Sequence, residues 1–333
     1  MLETAPAPAA AVATARSLRP AAIGAVAMAV PAQIVGNEPI AARLGIEPEW
    51  IVERTGVRER RVLGPGESLV ELGAEAAERA LAQATVAPEA VDLVLAATMS
   101  HERLTPPLAP LLADRIGTDA GALDIDGACT GFVGALSLAA AQVESGRAET
   151  VLVIGAERLS ALTDPDDRAT AALFGDGAGA AVVRPAAGAG FGPFVLGSDG
   201  SQAELVTAER DEALIRMQGQ DTFREAVNRM SAATVAATSA ADIDLSEIDL
   251  FVYHQANARI LRALAQRLGL DAERVVECIS RYGNTSAATI PIALATALED
   301  GRIAAGDRVL LAAFGGGLTW GATVLEWEAT PDV

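Results

Sequence analysis

Lysine is missing from this sequence: all 25 basic residues are arginine. That excludes a lysine Schiff base and the phosphate-binding lysine of a P-loop. Cysteine and histidine are scarce, with two of each at Cys129, Cys278, His101 and His254, so chemistry resting on these types has few candidates. The cysteines form no C-x-x-C pair, which supports neither a zinc site nor a disulfide framework and fits a reduced, cytoplasmic setting. Positive charge is also short. Forty-four acids leave a net charge of −19, a balance that repels phosphate backbones and argues against a nucleic-acid partner. Long apolar runs are lacking as well. The stretch Ala21 to Val35 is interrupted by Pro31 and Gln33 and is too short to cross a bilayer as a helix, so no membrane association is expected. Between Glu3 and Arg16 the chain is rich in Ala and Pro without the basic opening of a secretory signal, and residues 1–18 read as a flexible extension.

What is present suits a large globular core: 333 residues, 51% of them hydrophobic and 21% charged, enough for two domains or one double domain. Short apolar runs at 21–30, 91–98, 121–125, 151–154 and 178–183 read as strands, and 69–82, 109–116 and 129–144 as helices. After a Gly/Pro-rich junction at 184–193 the alternation resumes. Strands are expected at 194–196, 250–253, 309–313 and 322–327, with helices at 222–237, 258–268 and 287–298. Near-continuous apolar strands between helices imply α/β sheets covered on both faces. The two halves are compatible with one topology used twice.

Three segments carry candidate chemistry. Asp124-Ile-Asp-Gly-Ala-Cys-Thr-Gly-Phe132 ends a strand and opens a helix, placing Cys129 where free backbone amides and the helix dipole favour thiolate. A buried structural cysteine is the alternative, and Cys278 within Val275-Val-Glu-Cys-Ile279 reads as packing. Phe251-Val-Tyr-His254 puts a histidine where a buried strand ends, a usual place for active-site residues in α/β proteins. Arg281-Tyr-Gly-Asn-Thr-Ser286 offers Asn284 as an amide donor or as an ordinary turn residue. Of two glycine clusters, 175–179 runs into a strand and is not a dinucleotide fingerprint. The other, 313–321, follows a strand and exposes backbone amides suited to an oxyanion hole, or simply connects a hairpin.

Together these segments resemble the thiolase superfamily, and most closely the β-ketoacyl-acyl-carrier-protein synthase III family. The resemblance covers about residues 20 to 328. It rests on Glu49-Trp-Ile-Val-Glu-Arg-Thr-Gly-Val57, Phe174-Gly-Asp-Gly-Ala-Gly-Ala180, His254-Gln-Ala-Asn257, Tyr282-Gly-Asn-Thr-Ser286 and the loop from Phe314 to Gly321. It implies a duplicated five-layered αβαβα fold, with an N-terminal half at 19–186 carrying the nucleophile and a C-terminal half at 187–333 carrying His and Asn. It also implies a homodimer, acyl-CoA as substrate with no permanently bound cofactor or metal, and malonyl-acyl-carrier protein as second substrate. Cys129, His254 and Asn284 match the family's triad. On the family's mechanism the Cys129 thiolate attacks the acyl-CoA thioester, the oxyanion lies on backbone amides of Cys129 and Gly316, and CoA leaves. Decarboxylation of the malonyl group then yields an enolate held by His254 Nε2–H and Asn284 Nδ2, whose carbanion attacks the acyl-cysteine.

Other positions carry over from the same resemblance. Trp50 and Arg168 match the pair that sandwiches the CoA adenine, and Arg54, Thr55 and Asn257 match further channel contacts. Gln220 replaces an Asn common in the family. Leu159, Phe174 and Met217 match the acyl pocket. Leu104 falls where many members place an aromatic that reaches across the dimer interface, so a longer pocket and branched or medium-length acyl groups are expected. Because carrier protein is acidic, docking needs a locally basic patch. Arg259, Arg262 and Arg267 fall within about 140° of one helical face, and Arg224 is their neighbour by family position. The rival readings are an acyltransferase passing the Cys-bound group to an alcohol or amine, and a noncatalytic synthase subunit.

Overall fold

The computed structural model describes residues 18–328; residues 1–17 of the expected N-terminal extension lie outside the described residues. Five strands make one mixed sheet in the order Ala21–Ala29, Asp176–Pro185, Val151–Arg158, Leu93–Ala97, Gly121–Ile125. The first two pairings are antiparallel and the last two parallel. The inner strand Val151–Arg158 is buried over its first seven residues, as its unbroken apolar run requires when helices cover both faces. The edge strand Gly121–Ile125 is the exception, with Leu123 left 56% exposed.

A second sheet runs Val195–Ser198, Thr319–Glu326, Arg308–Gly315, Leu250–Tyr253. Its pairings are antiparallel, antiparallel and parallel. A lone parallel bridge from Phe251 to Val275 marks a fifth position beyond its last strand. Read in this order, each pairing has the sense of its counterpart in the first sheet, so one topology is indeed used twice.

The helices follow the same duplication. Leu69–Ala84 and Leu108–Ile116 cover the outer face of the first sheet, while Gly219–Ala240, flanked by Ala258–Leu268, covers the second. Between the sheets lie Gly131–Glu144 and Thr289–Glu299, which touch each other and both sheets. Five layers result, and the largest apolar cluster fills the middle, joining Phe132, Val133 and Leu136 to Ile290, Ala293 and Leu294.

These two central helices begin later than their sequence pattern predicts. Residues Ala128–Thr130 and Ser286–Ala288 form single 3₁₀ turns ahead of them. The reason is local backbone geometry: Ala128 and Ser286 both have φ of 45°, a left-handed conformation that costs a non-glycine residue about 1 kcal/mol or more and interrupts a right-handed ladder. Short elements between 34 and 61 escape the sequence pattern altogether, among them the helix Pro48–Thr55 that carries Trp50, Arg54 and Thr55. The 313–321 segment is a hairpin joining Arg308–Gly315 to Thr319–Glu326.

The second turn rests on a glycine of the first sheet. A Cβ on Gly155 would stand 2.7 Å from the Ala287 carbonyl oxygen and 3.2 Å from Ala288 Cα, both backbone atoms. Gly155→Ala should therefore destabilise the protein by about 1–3 kcal/mol. Gly134→Ala, in a helix with open space at the new methyl, should be neutral or stabilising by up to about 1 kcal/mol. Thermal unfolding of the two variants checks this; equal melting temperatures would contradict it.

Candidate active site

Cys129 sits in the turn ahead of the central helix Gly131–Glu144 rather than within its first turn. The turn is held by Thr130, whose hydroxyl donates to the Gly127 carbonyl at 2.7 Å and lies 2.9 Å from Thr319 Oγ1 on the facing hairpin. The hairpin can come this close because residue 315 is glycine: a Cβ there would lie 2.8 Å from the Cys129 nitrogen. Gly316, the expected oxyanion-hole partner, is the next residue of that hairpin. The thiol does not rest as the thiolate the helix dipole suggested. Burial pushes it up to about 12, against smaller stabilisation of the anion by the Ser286 hydroxyl and by its own backbone N–H. The residue as a whole is half-buried.

His254 follows the buried strand Leu250–Tyr253 and is anchored by its backbone N–H to the Ala312 carbonyl at 2.8 Å. It is 1% exposed, and burial holds its pKa down at about 3, so the ring is neutral. Its Nδ1 lies 2.6 Å from Thr289 Oγ1. The next residue, Gln255, is also buried and stitches the loop across to the second sheet's edge, donating to the Tyr253 and Val276 carbonyls and accepting the Cys278 N–H. Cys278 itself is packed in the central core.

Asn284 is fixed from both ends. Its backbone exchanges hydrogen bonds with Leu173 and Gly175, and its Oδ1 accepts the Ser286 N–H at 2.8 Å, which leaves Nδ2 as the donor end of the amide. Gly175 permits this docking, since a Cβ there would fall 2.3 Å from the Tyr282 carbonyl. One short stretch links the surroundings of the three predicted residues. Asn284 begins it, the turn Ala128–Thr130 that carries Cys129 packs against its turn Ser286–Ala288, and Thr289 touches His254.

A cavity of about 400 Å³ leads from the surface to Asn284. Trp50, Arg54, Thr55, Arg168 and Asn257 all line it, together with Met217 and Gln220. Arg54 and Arg168 stand 5.5 and 6.0 Å from the Trp50 ring centre, the arrangement that stacks planar groups. Two of these residues have local duties. Thr55 donates its hydroxyl proton to the Ile51 carbonyl, and Asn257 caps the helix Ala258–Leu268 while donating to the Arg54 carbonyl. Leu159, Phe174 and Met217 gather in one apolar cluster with Leu173 and Ile215. Leu104 does not join them: it is 83% exposed and is not part of the cavity lining. Arg259, Arg262 and Arg267 are exposed on one helix, with Arg259 over the Phe223 ring and Arg224 on the adjoining helix paired to Asp221.

Sequence reasoning missed Glu157. It is the last buried residue of the strand Val151–Arg158, and it accepts hydrogen bonds from the Ser100 and Thr98 hydroxyls and the Met99 and Ala287 amides. Burial raises its carboxyl to about 7, and as an anion it raises the pKa of Cys129. An acid late in an otherwise apolar strand was the available signal.

Two family models match the chain. The 3-oxoacyl-[acyl-carrier-protein (ACP)] synthase III model matches residues 123–200, and the model of that enzyme's C-terminal part matches 238–327. Beta-ketoacyl-[acyl-carrier-protein] synthase III 2 of Streptomyces coelicolor is 42% identical over 317 residues, covering 94% of this chain and 96% of the relative. The Listeria innocua synthase III is 40% identical over 90% of this chain and 96% of its own. Among solved structures, the synthase III from Thermus thermophilus superposes with a TM-score of 0.89 at 44% identity, covering 92% of this chain and 99% of that one. The priming β-ketosynthase of the R1128 polyketide pathway gives 0.91 at 36% identity, covering 97% and 100%. The duplicated five-layered architecture is thiolase-like, the fold of a class of acyl-condensing transferases. Within that class, the chain belongs to the 3-oxoacyl-[acyl-carrier-protein] synthase III family.

The electrostatics predict one reactivity. Above about pH 7 Glu157 is an anion that opposes ionisation of Cys129, so Glu157→Gln should lower the thiol pKa. Alkylation of Cys129 by iodoacetamide, followed from pH 6 to 10, should then shift to lower pH in the variant. A shift to higher pH would contradict the sign.

Proposed function

We propose that this protein is a 3-oxoacyl-acyl-carrier-protein synthase III. It joins an acyl-CoA starter to malonyl-acyl-carrier protein in a decarboxylating Claisen condensation that initiates fatty-acid or polyketide synthesis. The observation that supports this reading is the stretch 284–289, which brings Asn284 to an arginine- and tryptophan-lined cavity, packs against the turn of Cys129 and touches His254 through Thr289. In the first half-reaction the Cys129 sulfur attacks the thioester carbonyl, with the oxyanion on the Cys129 and Gly316 amides, and CoA leaves as the thiol. In the second, loss of CO₂ from the malonyl group places charge on the thioester oxygen. A neutral imidazole and an amide whose donor end is free suit that charge better than cations would, because they stabilise it without holding the carboxylate back.

Acyl-CoA is a substrate here, not a resident cofactor, with Trp50, Arg54, Thr55, Arg168 and Asn257 along its path. Leu159, Phe174 and Met217 line the acyl end. The unpaired edge strand Gly121–Ile125 and the exposed Leu104 support a homodimer in which Leu104 closes the partner's pocket, leaving room for branched or medium-length starters. Residues 19–186 and 187–333 form the two halves, one supplying the nucleophile and the other the enolate donors; each contains one of the two sheets. No described helix is long and apolar enough to cross a membrane, and we place the enzyme in the cytoplasm. Arg224, Arg259, Arg262 and Arg267 form the carrier-protein landing face on an otherwise acidic molecule.

Mass spectrometry after incubation with acetyl-CoA should find the acyl adduct on Cys129 and none in Cys129→Ala; an adduct on Cys278 would overturn the assignment. Asn284→Ala should still become acylated yet condense at least about tenfold more slowly, the scale of one lost hydrogen bond to a developing charge. Condensation at the wild-type rate would remove the enolate role.

Reversing one charge of the landing face tests docking separately. Arg259→Glu should weaken malonyl-carrier-protein binding most at low salt while sparing acylation of Cys129. Unchanged affinity would place the carrier elsewhere.

A further inference from the structure

A neutral imidazole carries one proton on two nitrogens, and only the tautomer protonated on Nε2 can donate from that nitrogen. What sets the tautomer is the hydrogen bond at Nδ1. For His254 that partner is Thr289, the first residue of the central helix Thr289–Glu299, 2% exposed. A threonine hydroxyl owns a single proton, and here it has two acceptors within reach: His254 Nδ1 at 2.6 Å and the Ser286 carbonyl at 2.9 Å.

The length of the imidazole contact favours one of them, and the Ser286 carbonyl permits it. The 2.6 Å separation is shorter than the roughly 2.7–3.2 Å of N–H···O bonds and falls in the shorter range of hydroxyl donors, which marks the hydroxyl as the giver. The Ser286 carbonyl, moreover, already accepts the Thr289 backbone N–H, so it stays satisfied when the hydroxyl turns away. In the opposite arrangement a ring protonated at Nδ1 would donate to the same hydroxyl and present a bare Nε2, so the two tautomers differ in what the ring offers at Nε2.

We propose that Thr289 is a positioning residue whose hydroxyl donates to His254 Nδ1, fixing the ring proton on Nε2 and so making the imidazole a hydrogen-bond donor to the enolate. The proposal rests on the condensing reading above for its purpose, but the tautomer itself is independent of any substrate. Burial that keeps the ring neutral supports it, since a doubly protonated ring would have no acceptor at Nδ1 to offer the hydroxyl.

The scarcity of histidine makes the test direct. With only His101 and His254 in the chain, ¹⁵N-histidine labelling and a His101→Gln control assign both rings. His254 should show a protonated Nε2 and a bare Nδ1 in the free enzyme. In Thr289→Val, which keeps the shape and removes the donor, a protonated-Nδ1 signal should appear, and Thr289→Ser should restore the original pattern. Malonyl decarboxylation should fall by about tenfold in Thr289→Val and recover in Thr289→Ser, with acylation of Cys129 within about twofold throughout. A protonated Nδ1 in the unmodified enzyme, or an unaltered tautomer in Thr289→Val, overturns the proposal. Absence of malonyl decarboxylation in the unmodified enzyme would instead sink the condensing reading, leaving the tautomer result intact.

Discussion

The site depends on three backbone approaches too close for any side chain. Gly155 lets the turn at 286–288 rest on the first sheet, Gly175 lets the strand entry at 174–176 dock beneath Tyr282, and Gly315 lets the hairpin lie against Cys129. Each contact joins a segment of one half of the chain to a segment of the other. The two strained turns ahead of the central helices are held against one another by these contacts, and the cost of two left-handed non-glycine residues is met by the core that the helices bury. The duplicated fold thus does more than repeat a topology, because it points the starts of two equivalent helices at one spot.

Dryness at that spot governs its chemistry. The thiol, the imidazole and the Glu157 carboxyl are all pushed by burial toward their neutral forms. On the proposed reading a neutral site would not compete with an anionic malonyl group for counter-charge and would offer dipoles where negative charge develops, the stabilisation then lying in the protein, not in reorganising water. The channel above is built on the opposite principle: arginines and an indole stand in partial contact with solvent and suit a charged, planar nucleotide.

Much of this was legible in the sequence, and what was hidden has a common cause. Apolar periodicity marks the inner strands and long helices because burial on both faces imposes it. Cys129 and Asn284 stand out beside glycines in turns that lead into helices, and His254 because it follows an apolar strand. Glu157 and Thr289 meet their partners from far away in the chain, and no local pattern betrays a hydroxyl 35 positions from the imidazole it touches. The duplication was only a compatibility, since the fifth position of the second sheet shrinks to one bridge at Val275 and leaves no strand-length signal. The expectation of a resting thiolate failed because helix-dipole reasoning counts the amides and omits the desolvation around the sulfur.

Release of CO₂ from carboxyl-labelled malonyl-acyl-carrier protein, measured beside formation of the 3-oxoacyl carrier product, tests the central claim most directly. With acyl-CoA present, the account predicts stoichiometric release and product formation, both lost when Cys129 is replaced. Transfer of the Cys129-bound acyl group to an alcohol or amine, with no malonyl decarboxylation, would contradict it.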